Sequence, residues 1–166
     1  GHRPADYRPT AHDVPLCSYG KSGPTSAMQL ALQIAGRGGA EFAHVHRVVA
    51  WPDSPGPGYA VPLDSPAPRE ESATGLRVIK THLPRKHVPY MPEAKYVCIV
   101  RDPKDMVVSG YHFFKSVGLG PLMPPVSIWL DYMLSEDSFL GAWTEHTRGY
   151  WEDRHLPNVL FMTFEE

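Results

Sequence analysis

Three short apolar runs, Val14–Tyr19, Leu76–Lys80 and Tyr96–Val100, are each bounded by polar or turn-forming residues, and a fourth, Val159–Phe164, lies near the end of the sequence. Each has the length of a strand and suits a pleated, buried surface. Pro15 restricts the first run, because proline is accepted only where a strand begins or lacks a partner. Between the runs the period changes. Ala27, Met28, Ala31, Leu32, Ile34 and Ala35 fall on one helical face, Pro24 suits the first turn, and Gly36 with Gly38-Gly39 suits the stop. Asp102-Pro103-Lys104-Asp105 opens a second helix, with Asp102 as cap and Asp105 near the positive end, running to about Lys115. Two more helices are expected near Val126–Leu134 and Phe139–Trp151. Short buried strands alternating with helices predict an α/β fold built on a parallel sheet flanked by helices.

The organisation expected is a polar, Pro-containing arm over residues 1–13 and one domain over 14–166. Within it, residues 51–75 carry six prolines and three glycines in 25 residues. A connection of that length is either a functional lid or a disordered stretch.

Composition narrows the function classes. Sixteen basic and eighteen acidic residues give a net charge of −2, which removes the electrostatic argument for nucleic-acid or anionic-membrane binding but leaves room for a small basic pocket. No apolar run reaches the ~18 residues needed to span a bilayer. Cys17 and Cys98 sit in strand-like segments without metal or disulfide spacing, as buried thiols do. With no secretory pattern at the start, a cytoplasmic setting is the expectation.

Candidate chemistry sits at the strand ends. After the first strand, Gly20-Lys21-Ser22-Gly23-Pro24-Thr25-Ser26 leads into a helix, a geometry that gathers backbone N–H groups around an anion. It is either such a site or an ordinary glycine turn. Pro15 occupies the place of the first Walker A glycine, so this is not a Walker A loop. At the second strand end, Lys80 and His82 project to the same face about 7 Å apart. They read as a converging cation and imidazole or as two solvated residues. After the third strand, Arg101 precedes a helix carrying Ser109; Arg101 either grips an anion or pairs with Asp102 or Asp105. In open parallel sheets, ligands bind beyond these carboxyl ends.

Together these segments resemble the cytosolic sulfotransferase family, enzymes that use 3′-phosphoadenosine-5′-phosphosulfate (PAPS). Cys17-Ser-Tyr-Gly-Lys-Ser-Gly-Pro-Thr-Ser26 resembles the family's phosphosulfate loop, Ile79-Lys-Thr-His-Leu-Pro84 its catalytic strand, and Tyr96–Phe114 its 3′-phosphate signature. Gly141-Ala-Trp-Thr-Glu-His146, Tyr150-Trp151 and Val159–Glu165 follow the family in order. The resemblance implies a P-loop-type, sulfotransferase-like fold and transfer of a sulfuryl group from PAPS to a hydroxyl or amine of a small molecule, leaving the product PAP. It implies that His82 is the general base, that Lys80 stabilises the sulfuryl oxygens and that Lys21 steadies the leaving group. Ser22, Gly23, Pro24, Thr25 and Ser26 would hold the 5′-phosphate, and Arg101 with Ser109 the 3′-phosphate. No metal site is expected, and a homo-oligomer is allowed.

Three departures accompany the resemblance. Ser26 stands where the family has a tryptophan stacked on adenine, and Gly20 and Pro24 replace proline and threonine. The family's C-terminal Gly-rich segment and dimer motif have no counterpart up to Glu166, so the sequence is read as a fragment, as a chain whose remaining half-site comes from elsewhere, or as one impaired in cofactor binding. A degenerate, nucleotide-binding or regulatory relative is the alternative these departures motivate. A nucleotide kinase would need a Walker lysine and a metal-holding aspartate, and neither is evident.

Overall fold

The computed structural model of the chain describes residues 7–56 and 58–165. Four strands, β1 (Asp13–Ser18), β2 (Arg77–Thr81), β3 (Tyr96–Val100) and β4 (Val159–Thr163), form one parallel sheet in the order β2-β1-β3-β4. The helices are α1 (Pro24–Ala35), α2 (Ala67–Glu70), α3 (Pro103–Phe114), α4 (Val126–Leu134) and α5 (Trp143–Glu152). The expected α/β class is therefore observed. Because every strand is parallel, all carboxyl ends lie along one edge, and the loops after β1, β2 and β3 meet there.

Alternation along each strand feeds two apolar layers. Leu16, Val78 and Ile99 pack with Met28, Val45 and Val49, while Cys17, Cys98 and Tyr96 pack with Val88, Ala94 and Tyr150 on the other face. A sheet buried on both faces requires near-continuous apolar strands, which is what the sequence shows. Cys17 and Cys98 are register partners and both are free thiols. Pro15 pairs only toward β2, and the β1–β3 register begins one residue later at Leu16↔Val97. The missing N–H thus falls where the ladder has not yet started.

A third cluster joins the helices to the sheet's carboxyl edge: Tyr19, Met106, Val107, Trp129 and Met133. Asp102 caps α3 by accepting from the Lys104 N–H at 2.8 Å, as expected. After Phe114 the helix continues as a π-helical turn over Lys115–Leu119. The last helix begins at Trp143 rather than Phe139, because Gly141 adopts φ 74° and turns the chain immediately before it.

At the amino end of the sheet, Asp13 is buried beneath Arg77, whose Nη2 lies 2.7 Å from its carboxylate. Burial works against the charge, but the Tyr7 hydroxyl, the Thr10 N–H and Arg77 outweigh it and hold the Asp13 carboxyl below its ordinary range. Tyr7 also accepts from Arg77 at 2.7 Å, so the described part of the arm packs onto β1 and β2. β1 starts at Asp13, one residue before the expected boundary. The long connection carries α2 and a bridge between Ala50 and Val61, and Ser72 and Thr74 both donate to the carbonyl of Ala35 at the far end of α1. Among the described residues, no helix is long and apolar enough to cross a membrane.

Candidate functional site

The turn after β1 bends through two left-handed residues, Lys21 at φ 66° and Gly23 at φ 80°. Gly23 is the N-cap of α1, Pro24 follows at the first position, and no side chain caps the helix. The Thr25 and Ser26 N–H groups therefore lack intrahelical acceptors, while Pro24 has no N–H to offer. Thr25 and Ser26 are exposed, whereas Ser22 is fully buried with its Oγ unpaired. The Phe164 ring lies so close over Gly23 that an added Cβ would fall 2.1 Å from its Cδ2.

From β2, Lys80 and His82 turn toward the same edge. Lys80 is 5% exposed, and its Nζ rests 3.4 Å above the centroid of the Trp51 ring. Burial, reinforced by the nearby charge of Lys21, outweighs the attraction of Asp53 and lowers Lys80 to about 8. His82 Nδ1 lies 2.7 Å from the Ser18 carbonyl oxygen, and its backbone N–H donates to Asp53 Oδ2 at 2.8 Å. A carbonyl only accepts, so Nδ1 carries the proton and Nε2 keeps its lone pair. Burial first, and the Lys80 cation second, push the His82 imidazole below its ordinary value.

Arg101 reaches back from β3 to donate to the Lys21 carbonyl at 3.3 Å, and its Nε is buried without a partner. Asp105 lies 3.8 Å from its Nη2, the i,i+4 pair anticipated from spacing. Lys21 is depressed first by burial and then by Arg101. Its aliphatic stem runs beside α3, where a Cβ on Gly110 would lie 3.7 Å from Lys21 Cγ. Ser109 precedes that glycine, half-buried on the same helix.

The structure thus brings Lys21, Lys80, His82 and Arg101 to one edge. No contact joins Ser109 to Arg101, so their meeting on one anion belongs to the proposal below. Three residues that sequence reasoning passed over complete the surroundings. Trp51 and Asp53 arise from a Pro-rich stretch with no period to flag them. His146 is buried between Tyr19 and Tyr150, with ring centroids 5.4 and 5.0 Å away. Trp129 is 5% exposed core, donating to the Val107 carbonyl at 3.0 Å. Phe114, Met123 and Trp143 pack against the same cluster, while Phe113 and Tyr59 remain exposed. A cavity of about 330 Å³, lined by Leu32, Phe42, Val48 and Leu76, lies at the far end of α1 and contains none of these cations.

Comparison with known proteins identifies the family and the fold. The family described as the sulfotransferase domain matches residues 11–166. Rat sulfotransferase 1C2 is 27% identical over 169 residues, covering 93% of this chain and 53% of the relative. Dog sulfotransferase 1A1 is 29% identical over 171 residues, covering 97% and 55%. The chain therefore spans about half the length of the curated relatives it matches. Among solved structures, mouse sulfotransferase SULT7A1 complexed with PAP superposes with a TM-score of 0.66 at 24% identity, over 98% of this chain and 55% of its own. Retinol dehydratase in a complex with retinol and PAP gives 0.68 at 22% identity, over 95% and 56%. Such distant structures share the fold, and the family match covers nearly the whole sequence: the chain belongs to the sulfotransferase domain family.

Proposed function

We propose that this chain transfers a sulfuryl group from PAPS to a hydroxyl or amine of a small molecule. The observation that carries the reading is the gathering of Lys21, Lys80 and Arg101 around an uncapped helix start, with the Nε2 of His82 left unprotonated beside them. The buried, unpaired Ser22 Oγ and Arg101 Nε are donors suited to phosphate oxygens. That two related folds are described as complexes with PAP supports the choice of nucleotide.

When bound, PAPS supplies the sulfuryl group and carries away the bridging oxygen as part of PAP. His82 accepts the acceptor's proton at Nε2 as the acceptor atom bonds to sulfur and the old sulfur–oxygen bond breaks. The Ser18 carbonyl holds the imidazole in orientation and shares the resulting positive charge. Lys80 faces the sulfuryl oxygens, and Lys21 meets the charge growing on the leaving oxygen. The N–H groups of Thr25 and Ser26, with Ser22, Gly23 and the Thr25 hydroxyl, surround the 5′-phosphate, and Pro24 shapes the turn without donating. Arg101 and Ser109 hold the 3′-phosphate. Fixed cations of this kind stabilise spread negative charge without rearranging, which is where the rate enhancement of group transfer resides.

The acceptor is proposed by class only. Retinol dehydratase is described with retinol in one structure and androsterone in another, and apolar alcohols of that type are the first to try. A second reading, a nucleotide-binding relative without turnover, is favoured by the exposed Ser26 and by Pro24 in the helix start. Thermal denaturation with PAP against ATP and Mg²⁺, followed by turnover of labelled PAPS over a panel of phenols, alcohols and amines, separates these. His82→Ala should abolish transfer while PAP binding stays within about twofold. Equal loss of both assigns His82 a structural role, and a shift with ATP alone overturns the assignment.

A further inference from the structure

The three cations of the candidate site share a feature that none of their proposed roles requires. Lys80 Nζ lies 3.4 Å from the Trp51 ring centroid, Lys21 Nζ 4.0 Å from that of Phe113, and Arg101 Cζ 4.7 Å from that of Phe164. Each ring comes from a different element: the connection before β2, the last turn of α3, and the residue after β4. We propose that Trp51, Phe113 and Phe164 are positioning residues, whose faces hold these cations in place for an incoming anion without neutralising them. The inference rests on the PAPS reading for the identity of that anion.

Three structural cations of the same fold show the contrast, whereas Arg154 also lies over a ring, that of Trp151 at 3.9 Å, and donates to the Trp151 carbonyl. Arg77, Arg85 and Lys86 each pair with a carboxylate, of Asp13, Asp153 and Glu145 respectively. Where rings also approach Arg77 and Arg85, they do so at 5.6 and 5.5 Å. Among the described residues Lys21 and Lys80 form no ion pair, and Arg101 has only the 3.8 Å approach to exposed Asp105. Asp53 favours the charge on Lys80 without reaching ion-pair distance.

A carboxylate partner would serve badly here. It would cancel the field that recruits the anion, and the pair would have to break before the cation could bind a phosphate or sulfuryl oxygen. An aromatic face attracts a cation through its quadrupole and carries no net charge. The cation therefore keeps its full field, and its long stem is already immobilised before ligand arrives. The seats also offset the repulsion that Lys21, Lys80 and Arg101 exert on one another. Trp51 serves a second neighbour, standing edge-on to His82 at 5.7 Å and 90°.

The test measures PAPS and PAP affinity by calorimetry in the wild type, Trp51→Leu, Phe113→Leu, Phe164→Leu and the conservative Trp51→Phe. In parallel, acetic anhydride labelling of the PAP-free protein, read by mass spectrometry, follows Lys21 and Lys80 individually. Each leucine variant should weaken PAPS about 3- to 30-fold, with Trp51→Phe within about threefold of wild type, and Trp51→Leu should spare PAP, which lacks the sulfuryl group that Lys80 faces. Trp51→Leu should raise labelling of Lys80 severalfold and leave Lys21 unchanged, and Phe113→Leu should do the reverse. Wild-type PAPS affinity in all three leucine variants overturns the proposal, as does a parallel rise at both lysines, which marks general loosening. If the wild type itself binds neither PAPS nor PAP, the PAPS reading fails, and the labelling pattern still decides whether each ring holds its own cation.

Discussion

The Nδ1 atom of His82 lies 2.7 Å from the carbonyl oxygen of Ser18, so the end of β2 is tied to the end of β1 through the imidazole itself. The bond selects the tautomer and leaves Nε2 basic. Burial and Lys80 keep the ring neutral below its ordinary value of 6.5, while Lys80 loses its proton at about 8. Under the proposed mechanism transfer needs the imidazole neutral and the lysine charged, so kcat/KM, which follows the groups of the unliganded protein, should hold a plateau between an acid limb below 6.5 and an alkaline limb near 8. Lys80→Arg should remove the alkaline limb, since a guanidinium does not titrate there. Persistence of that limb in Lys80→Arg would assign it to another group.

His146 makes the fold sensitive to acid. Burial first, then the charge of His82, lowers its imidazole from 6.5 to about 4, against a smaller favourable contribution from the His82 backbone. Below 6.5 the unfolded chain takes up a proton that the folded ring refuses. Stability is therefore complete above 6.5 and is lost as pH falls toward 4, by about 3 kcal/mol for this residue. Urea unfolding of wild type and His146→Leu at pH 7 and pH 4.5 measures it. The variant should show the shallower decline, and identical slopes would remove His146 as the cause.

Ser26 lies exposed on the first turn of α1, at the place where the resemblance expects an adenine-stacking tryptophan. Ser26→Trp should tighten PAP binding by about tenfold, since a base–aromatic stack contributes about 1–3 kcal/mol. Calorimetry with PAP and with inorganic sulfate distinguishes a base contact from a general effect. Only the nucleotide should gain.

Gly23→Ala meets two obstacles, the left-handed φ of 80° and the Phe164 ring 2.1 Å from the new Cβ. Stability should fall by about 2–4 kcal/mol. Adding Phe164→Ala should recover the steric share but not the conformational one. A double-mutant cycle by chemical denaturation reads the coupling, and strict additivity would show that the ring moves aside freely.

Much of this arrangement was legible because it is local. The short apolar runs of β1, β2 and β3, the helical apolar face of α1 and the Asp102-Pro103 start of α3 located these elements to within about a residue. Lys21, Lys80, His82 and Arg101 were found because a parallel sheet sends every strand's carboxyl end to one edge. Residues whose placement depends on distant partners were not legible. Trp51 and Asp53 reach Lys80 and His82 across the long connection to β2, from a Pro-rich segment without periodicity. The start of α5 was misplaced because Phe139 continues an apolar pattern, yet it packs on Phe114 and Tyr132 outside the helix. Arg101's seat is Phe164, brought beside it by β3–β4 pairing and not by any spacing in the sequence.

Lys21 occupies a backbone conformation, φ 66°, that glycine adopts without strain. Holding a branched-Cα residue there costs on the order of 1 kcal/mol. Random drift toward glycine would thus make the domain sturdier and leave the anion without its first cation. Under the proposed function, an ammonium held on an unwelcoming torsion trades durability for chemistry, and the trade can be read from a single angle.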